Sequence, residues 1–223
     1  MTDAGRNWLE VRREVPADIG LVAVSKFHPV SALLAAYDAG CRTFGESRVQ
    51  ELCAKRDQLP ADVEWHFIGH LQPNKVKYIA PFVSLIHAVD TPKLLAEISK
   101  RGKQCGRRVP CLLQVHVARE ETKFGFSPEE LLAFLATETW REQDGASIEG
   151  LMCMASNTDD MAQVEAEFKQ VVRLFDEVKG QYFADNPAFR LRSYGMSHDW
   201  PVAVACGSNL VRIGTRIFGE REY

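Results

Sequence analysis

The stretch "LVAVSKFHPVSALLAAYDAG" (residues 21–40) reads as one strand running straight into one helix. Leu21 to Lys26 is a short apolar run, Pro29 punctuates it, and residues 30–40 carry helix formers with apolar residues at helical spacing. A strand that ends on a lysine ordinarily ends where it meets water, because lysine is almost never fully buried. Whether Lys26 does more depends on what surrounds it.

The same β-then-α unit recurs along the chain. Further β-type runs are "RTFGE" (42–46), "EWHFIGH" (64–70), "SLIHAVD" (84–90), "PCLLQVHV" (110–117), "IEGLMCMA" (148–155), "LRSYGMS" (191–197) and "LVRIGT" (210–215). Between them lie helical patterns such as 91–102 and 127–138, opened by Thr91-Pro92 and Ser127-Pro128, a capping residue followed by proline at the first helical position. From Asn157 to about Tyr182, Val164, Phe168, Val171, Val172, Phe175 and Val178 keep helical spacing. Alternating elements with short connections point to a parallel sheet. About eight strands in this length predict a (β/α)8 TIM-type barrel in one domain, residues 1–223, with a doubly wound open sheet as the alternative. Only "RIFGEREY" (216–223) follows the last strand, too little for an eighth helix, so "RNWLEVRRE" (6–14) is expected to cover that gap.

Composition narrows the class. The chain has 223 residues, 46% hydrophobic and 26% charged, which suits a globule with a sizeable core. A net charge of -3 gives no field to attract nucleic acid. No apolar run approaches the roughly 18 residues of a membrane helix, and residues 1–20 have no signal-type apolar region. The six cysteines include no C-x-x-C pair, which favours reduced thiols and a cytoplasmic setting over a disulfide or zinc framework.

A barrel changes how Lys26 reads. Active sites of this fold lie at the carboxyl ends of the strands, and Val22, Val24 and Lys26 share one strand face. If that face is the interior, apolar walls depress the amine's pKa and make it a carbonyl nucleophile. At the other end of the chain, "GMSHD" (195–199), "CGSN" (206–209) and "VRIGTRIFG" (211–219) gather glycines, hydroxyls and Arg212, where barrels often bind phosphate. Gly195 and Gly214 allow close backbone approach, and Ser197 and Thr215 can donate to phosphate oxygens. Any one of these turns is equally readable as plain structure. Closure would make the first and last strands neighbours, bringing Lys26 and Arg212 to one cavity. Arg212 then needs a partner, either a flat heteroaromatic ligand or a neighbouring carboxylate.

Other constellations read weakly. His66 and His70 would share a metal on a helix, whereas on a strand they lie about 13 Å apart. "NKVKY" (74–78) reads as a solvated face. "SHD" (197–199) is contiguous, and consecutive side chains do not converge as a triad.

In order along the chain, "AVSK" (23–26), "FGESRVQE" (44–51), "HFIGHLQPNK" (66–75), "HAVD" (87–90), "KFGF" (123–126), "GLMCMAS" (150–156), "YGMSHD" (194–199) and "VRIGTRIFG" (211–219) resemble the pyridoxal 5'-phosphate homeostasis proteins. Those are single-domain barrels similar to the amino-terminal domain of alanine racemase. The resemblance implies pyridoxal 5'-phosphate as cofactor, held as an internal aldimine by Lys26, with Arg212 facing the pyridine nitrogen and Ser197, Gly214 and Thr215 on the phosphate. Ser47, Met196 and Ile213 complete the expected binding set. The chain departs from the family at Ser47 and His116, each in place of an asparagine, at Tyr194 in place of a methionine, and in a shorter amino terminus. The implied role is storage, buffering or delivery of the cofactor to apo-forms of pyridoxal-phosphate enzymes, by a monomer without turnover. An amino-acid racemase is the alternative. Racemases of this kind complete their site with a second domain and an opposing base, and none is expected after residue 223.

Overall fold

The structure, a computed structural model, describes residues 3–119 and 124–220. Its strands are β1 (Gly20–Val24), β2 (Thr43–Glu46), β3 (Glu64–Phe67), β4 (Leu85–Val89), β5 (Val109–His116), β6 (Ala146–Met154), β7 (Leu191–Ser193) and β8 (Leu210–Ile213). They form a closed parallel barrel in chain order. Closure comes from β1 on β8, with Val22 opposite Arg212 and Ala23 opposite Ile213. That pairing rules out the open sheet.

Strand alternation divides the core in two. Val22, Leu85, Ala88, Leu112, Met152 and Leu210 fill the interior. Strand residues on the outer face, such as Ala23, Phe44, Ile86 and Ile213, join the larger core between strands and helices. The helices are α1 (Asp3–Glu14), α2 (Val30–Asp38), α3 (Val49–Arg56), α4 (Val76–Ile79), α5 (Pro92–Gln104), α6 (Pro128–Ala136), α7 (Met161–Tyr182), α8 (Trp200–Ala205) and α9 (Thr215–Phe218). Thr91 caps α5 by accepting from Leu94 N, and Ser127 with Glu130 forms a reciprocal capping box on α6. As expected, α1 covers the gap left by the four-residue α9. It packs on α2 and α9, Asn7 Nδ2 donates to Ile217 O at 3.1 Å, and Arg216 pairs with both Glu14 oxygens at 2.7 Å.

Four strands end two or more residues before the sequence pattern suggests. β1 stops at Val24, β3 at Phe67, β7 at Ser193 and β8 at Ile213, where the chain turns away at the barrel mouth. Lys26, His70 and Met196 therefore sit on loops at the carboxyl ends. The close approaches at Gly195 and Gly214 serve the protein itself. A Cβ on Gly195 (φ +89°) would lie 2.9 Å from Trp200 Cα, and one on Gly214 would lie 3.0 Å from Val24 O. Among the described residues, no helix is long and apolar enough to cross a membrane, and no cluster of three metal-ligating side chains occurs. No disulfide joins any of the six cysteines, all of which lie among the described residues.

Candidate functional site

A cavity of about 110 Å³ opens at the carboxyl ends of β1 and β8. Lys26 enters it from the turn after β1, Met196 and Ser197 from the turn after β7, and Arg212, Gly214 and Thr215 from β8 and the start of α9. Among the described residues, Lys26 is the lysine and Arg212 the arginine that line it, and no carboxylate does. A larger cavity, about 410 Å³, lies at the opposite end between Arg108, Trp140 and Tyr182. It has no lysine, so chemistry rather than size selects the smaller one.

Arg212 is 3% exposed, and both terminal nitrogens of its fork are engaged from below. Nη1 donates to Ser193 O and Ser193 Oγ, both at 2.6 Å, and Nη2 donates to Cys153 O at 3.0 Å. No carboxylate pairs with it among the described residues, so the salt-bridge alternative does not hold. Burial lowers its pKa, yet an arginine remains charged. Beyond Ser193 the contacts continue inward. Ser193 Oγ meets His87 Nδ1 at 2.9 Å, and His87 Nε2 meets His66 Nδ1 at 3.0 Å. Because the guanidinium only donates, Ser193 Oγ accepts from it, and the contacts run on through His87 to His66.

Burial pushes His66 down to about 4 and His87 well below the usual histidine range. A histidine depressed in the folded state stabilises above its unfolded pKa, and that contribution is lost as pH falls toward the folded value. The protein is therefore expected to lose stability between about pH 6.5 and pH 4. Thermal melts across that window check it, and His66→Gln should flatten the pH slope.

The expected site residues do not all share the cavity. Lys26, Met196, Ser197, Arg212, Gly214 and Thr215 do. Ile213 is fully buried in the outer core, as its parity against Arg212 requires, so only its backbone is near. Ser47 lines a neighbouring cavity with Arg48, His70 and Lys75. Gly214 N donates to Ser197 Oγ at 3.2 Å, so the two turns are already tied together. Asp199 Oδ1 accepts from Met196 N at 2.5 Å and holds the first turn. Tyr194 is buried against Phe168, outside the cavity. His70 bonds Asp90 at 2.7 Å, and Lys75 and Lys77 flank the exposed Tyr78 ring. Of the "KFGF" block, Lys123 lies outside the described residues. Sequence reading missed Ser193 and His87. The visible signal was a histidine within the apolar run "SLIHAVD", but its partner lies 106 residues away.

Comparison with known proteins bears on the family and the fold. A family model described as alanine racemase, N-terminal domain, matches residues 3–222. The pyridoxal phosphate homeostasis protein of Aquifex aeolicus is 40% identical over 204 residues, covering 91% of this chain and 87% of its own. Its counterpart in Haemophilus influenzae is 36% identical over 208 residues, covering 92% and 86%. The structure of PipY from Synechococcus elongatus PCC7942 with PLP bound is similar at a TM-score of 0.87 and 35% identity, over 97% of this chain and 100% of that one. Alanine racemase from Bartonella henselae shares the fold at a TM-score of 0.71 and 19% identity, over 98% of this chain and 59% of the racemase.

Proposed function

We propose, for a chain that belongs to the alanine racemase N-terminal domain family and within it to the pyridoxal phosphate homeostasis proteins, that it binds pyridoxal 5'-phosphate and keeps it available without turning over amino acids. The observation that carries this reading is one cavity joining a strand-end lysine, a buried guanidinium and two hydroxyl-bearing turns. Its donor set fits the group, since a phosphate dianion meets donors and no lining carboxylate. When bound, pyridoxal phosphate supplies an aldehyde that a primary amine can hold covalently, and a ring whose electron-withdrawing power depends on its nitrogen.

Lys26 is the amine. Ser197 and Thr215, with backbone N–H groups at the start of α9, hold the phosphate, and Met196 packs beside it. Arg212 faces the ring nitrogen as a donor with no acceptor to offer, so it leaves that nitrogen unprotonated and the ring a weak electron sink. Weak carbanion stabilisation suits retention and release better than catalysis.

Loss of one charge-assisted hydrogen bond costs about 1.5–3 kcal/mol. Thr215→Ala is accordingly expected to weaken cofactor retention roughly 10- to 150-fold, measured by equilibrium dialysis with absorbance detection. Unchanged affinity in both Thr215→Ala and Ser197→Ala moves the phosphate elsewhere. The carrier reading is tested by incubating loaded protein with L-alanine in deuterated water, alongside transfer to an apo-enzyme that needs the cofactor. Recovery of the acceptor's activity without α-proton exchange is expected. Multiple-turnover formation of D-alanine overturns it in favour of a racemase.

A further inference from the structure

Behind the strand end that bears Lys26, on the helix side of the barrel wall, lies a buried ionic cluster. Lys55 of α3 is 5% exposed, and its Nζ donates to Glu46 Oε1 at 2.7 Å, Glu51 Oε1 at 2.7 Å and Ser25 O at 2.8 Å. Ser25 Oγ donates to Glu46 Oε1 at 2.6 Å, and Phe27 N donates to Glu51 Oε1 at 2.6 Å. The cluster thus grips the residue on each side of Lys26. Its own electrostatics are poor. One ammonium serves two carboxylates, Glu46 Oε2 is buried without a hydrogen-bond partner, and burial pushes the Glu46 carboxyl up. Apolar packing would stabilise such a place at least as well.

What the cluster holds is a strained turn. His28 N donates to Ser25 O at 3.1 Å, closing a four-residue turn with Lys26 second and Phe27 third. Phe27 has φ +69°, the left-handed region that turns usually give to glycine. Its N–H is held by Glu51, its ring lies under the Arg48 guanidinium at 4.6 Å, and the carbonyl that closes the turn is held by Lys55. Within this turn Ser25 faces the cluster and Lys26 the cavity.

We propose that Lys55, Glu51 and Glu46 form a clamp that presents Lys26, by holding the Ser25–His28 turn in its left-handed form from the side opposite the cavity. They are positioning residues and touch no cofactor. The inference rests on the reading of Lys26 as the attachment point.

Glu51→Ala removes the grip on Phe27 N while leaving Lys55 on Glu46. It is expected to slow attachment of pyridoxal 5'-phosphate, trapped with borohydride and counted on the Lys26 peptide, roughly five- to thirty-fold, the population penalty of an unsupported left-handed residue. Pyridoxine 5'-phosphate, which lacks the aldehyde, should bind within twofold of wild type. Glycine takes the left-handed region freely, so Phe27→Gly in the Glu51→Ala background should restore most of the rate, and Phe27→Ala should not. A purely structural cluster gives no such split and no glycine rescue. The reactivity of Lys26 toward an acylating amine reagent in cofactor-free protein should fall and recover in the same pattern. An unchanged rate in Glu51→Ala, or equal loss for aldehyde and alcohol without rescue, overturns the clamp. Label on another lysine in wild-type protein overturns the attachment reading instead, and the acylation arm still reports on the turn.

Discussion

Lys26→Ala is expected to abolish covalent retention of pyridoxal 5'-phosphate while leaving the fold intact. After borohydride treatment, wild-type protein should carry the cofactor through denaturation on the peptide containing residue 26, and the variant should release all of it. The expectation is this steep because no other described lysine can substitute. Lys55 is the one closest in sequence to be buried, and its ammonium is bound by two carboxylates and a carbonyl on the far side of the wall. Lys75 lines the neighbouring cavity and lies along the exposed Tyr78 ring. The fold should survive because Lys26 sits on a loop and belongs to neither hydrophobic core. Near-wild-type melting with total loss of trapped cofactor is the result to expect. Label appearing on Lys75 or any other lysine in wild-type protein would refute the assignment.

The barrel was legible because its signal is local. Apolar runs, Thr91 and Ser127 caps and the 3.6-residue spacing of 164–178 each depend on a few neighbouring residues. Strand ends were less so, since Ile68, Tyr194 and Met196 continue an apolar pattern past Phe67 and Ser193, where the strands end. Parity carried further than expected. It put Val24 and Arg212 toward the cavity that Lys26 reaches from the turn after β1, and it also implies that Ile213 faces the helices. Ser47 follows a different constraint. It is wedged against Gly69, where a Cβ would lie 2.6 Å from Ser47 O, and the turn into α3 carries it to the neighbouring cavity. What pattern could not reach were contacts between distant elements. Arg212 meets Ser193 and Cys153, 19 and 59 residues away, and Lys55 meets Ser25, 30 residues away. A lysine and two glutamates on or near a helix read as a solvated face until the fold buries them.

Arg212→Met is expected to cost more stability than any other single change at this site. The thioether fills much of the volume but donates nothing, so Ser193 O and Cys153 O lose a buried donor. An unsatisfied buried acceptor costs about 1–3 kcal/mol, which for two gives about 2–6 kcal/mol. At roughly 2–4 °C per kcal/mol for a domain of this size, melting should fall by roughly 5–20 °C. Arg212→Lys should recover only part, because one nitrogen cannot stand at both the Nη1 and the Nη2 positions from which the planar fork meets β7 and β6. The Ser193 hydroxyl would also lose the donor that orients it toward His87, so the inward run to His66 would loosen. Double-mutant melts of Arg212→Met with His87→Phe measure that coupling, and their losses should be clearly less than additive. Wild-type melting in Arg212→Met would show that the barrel floor does not depend on the guanidinium, and Arg212 would then serve the ligand alone.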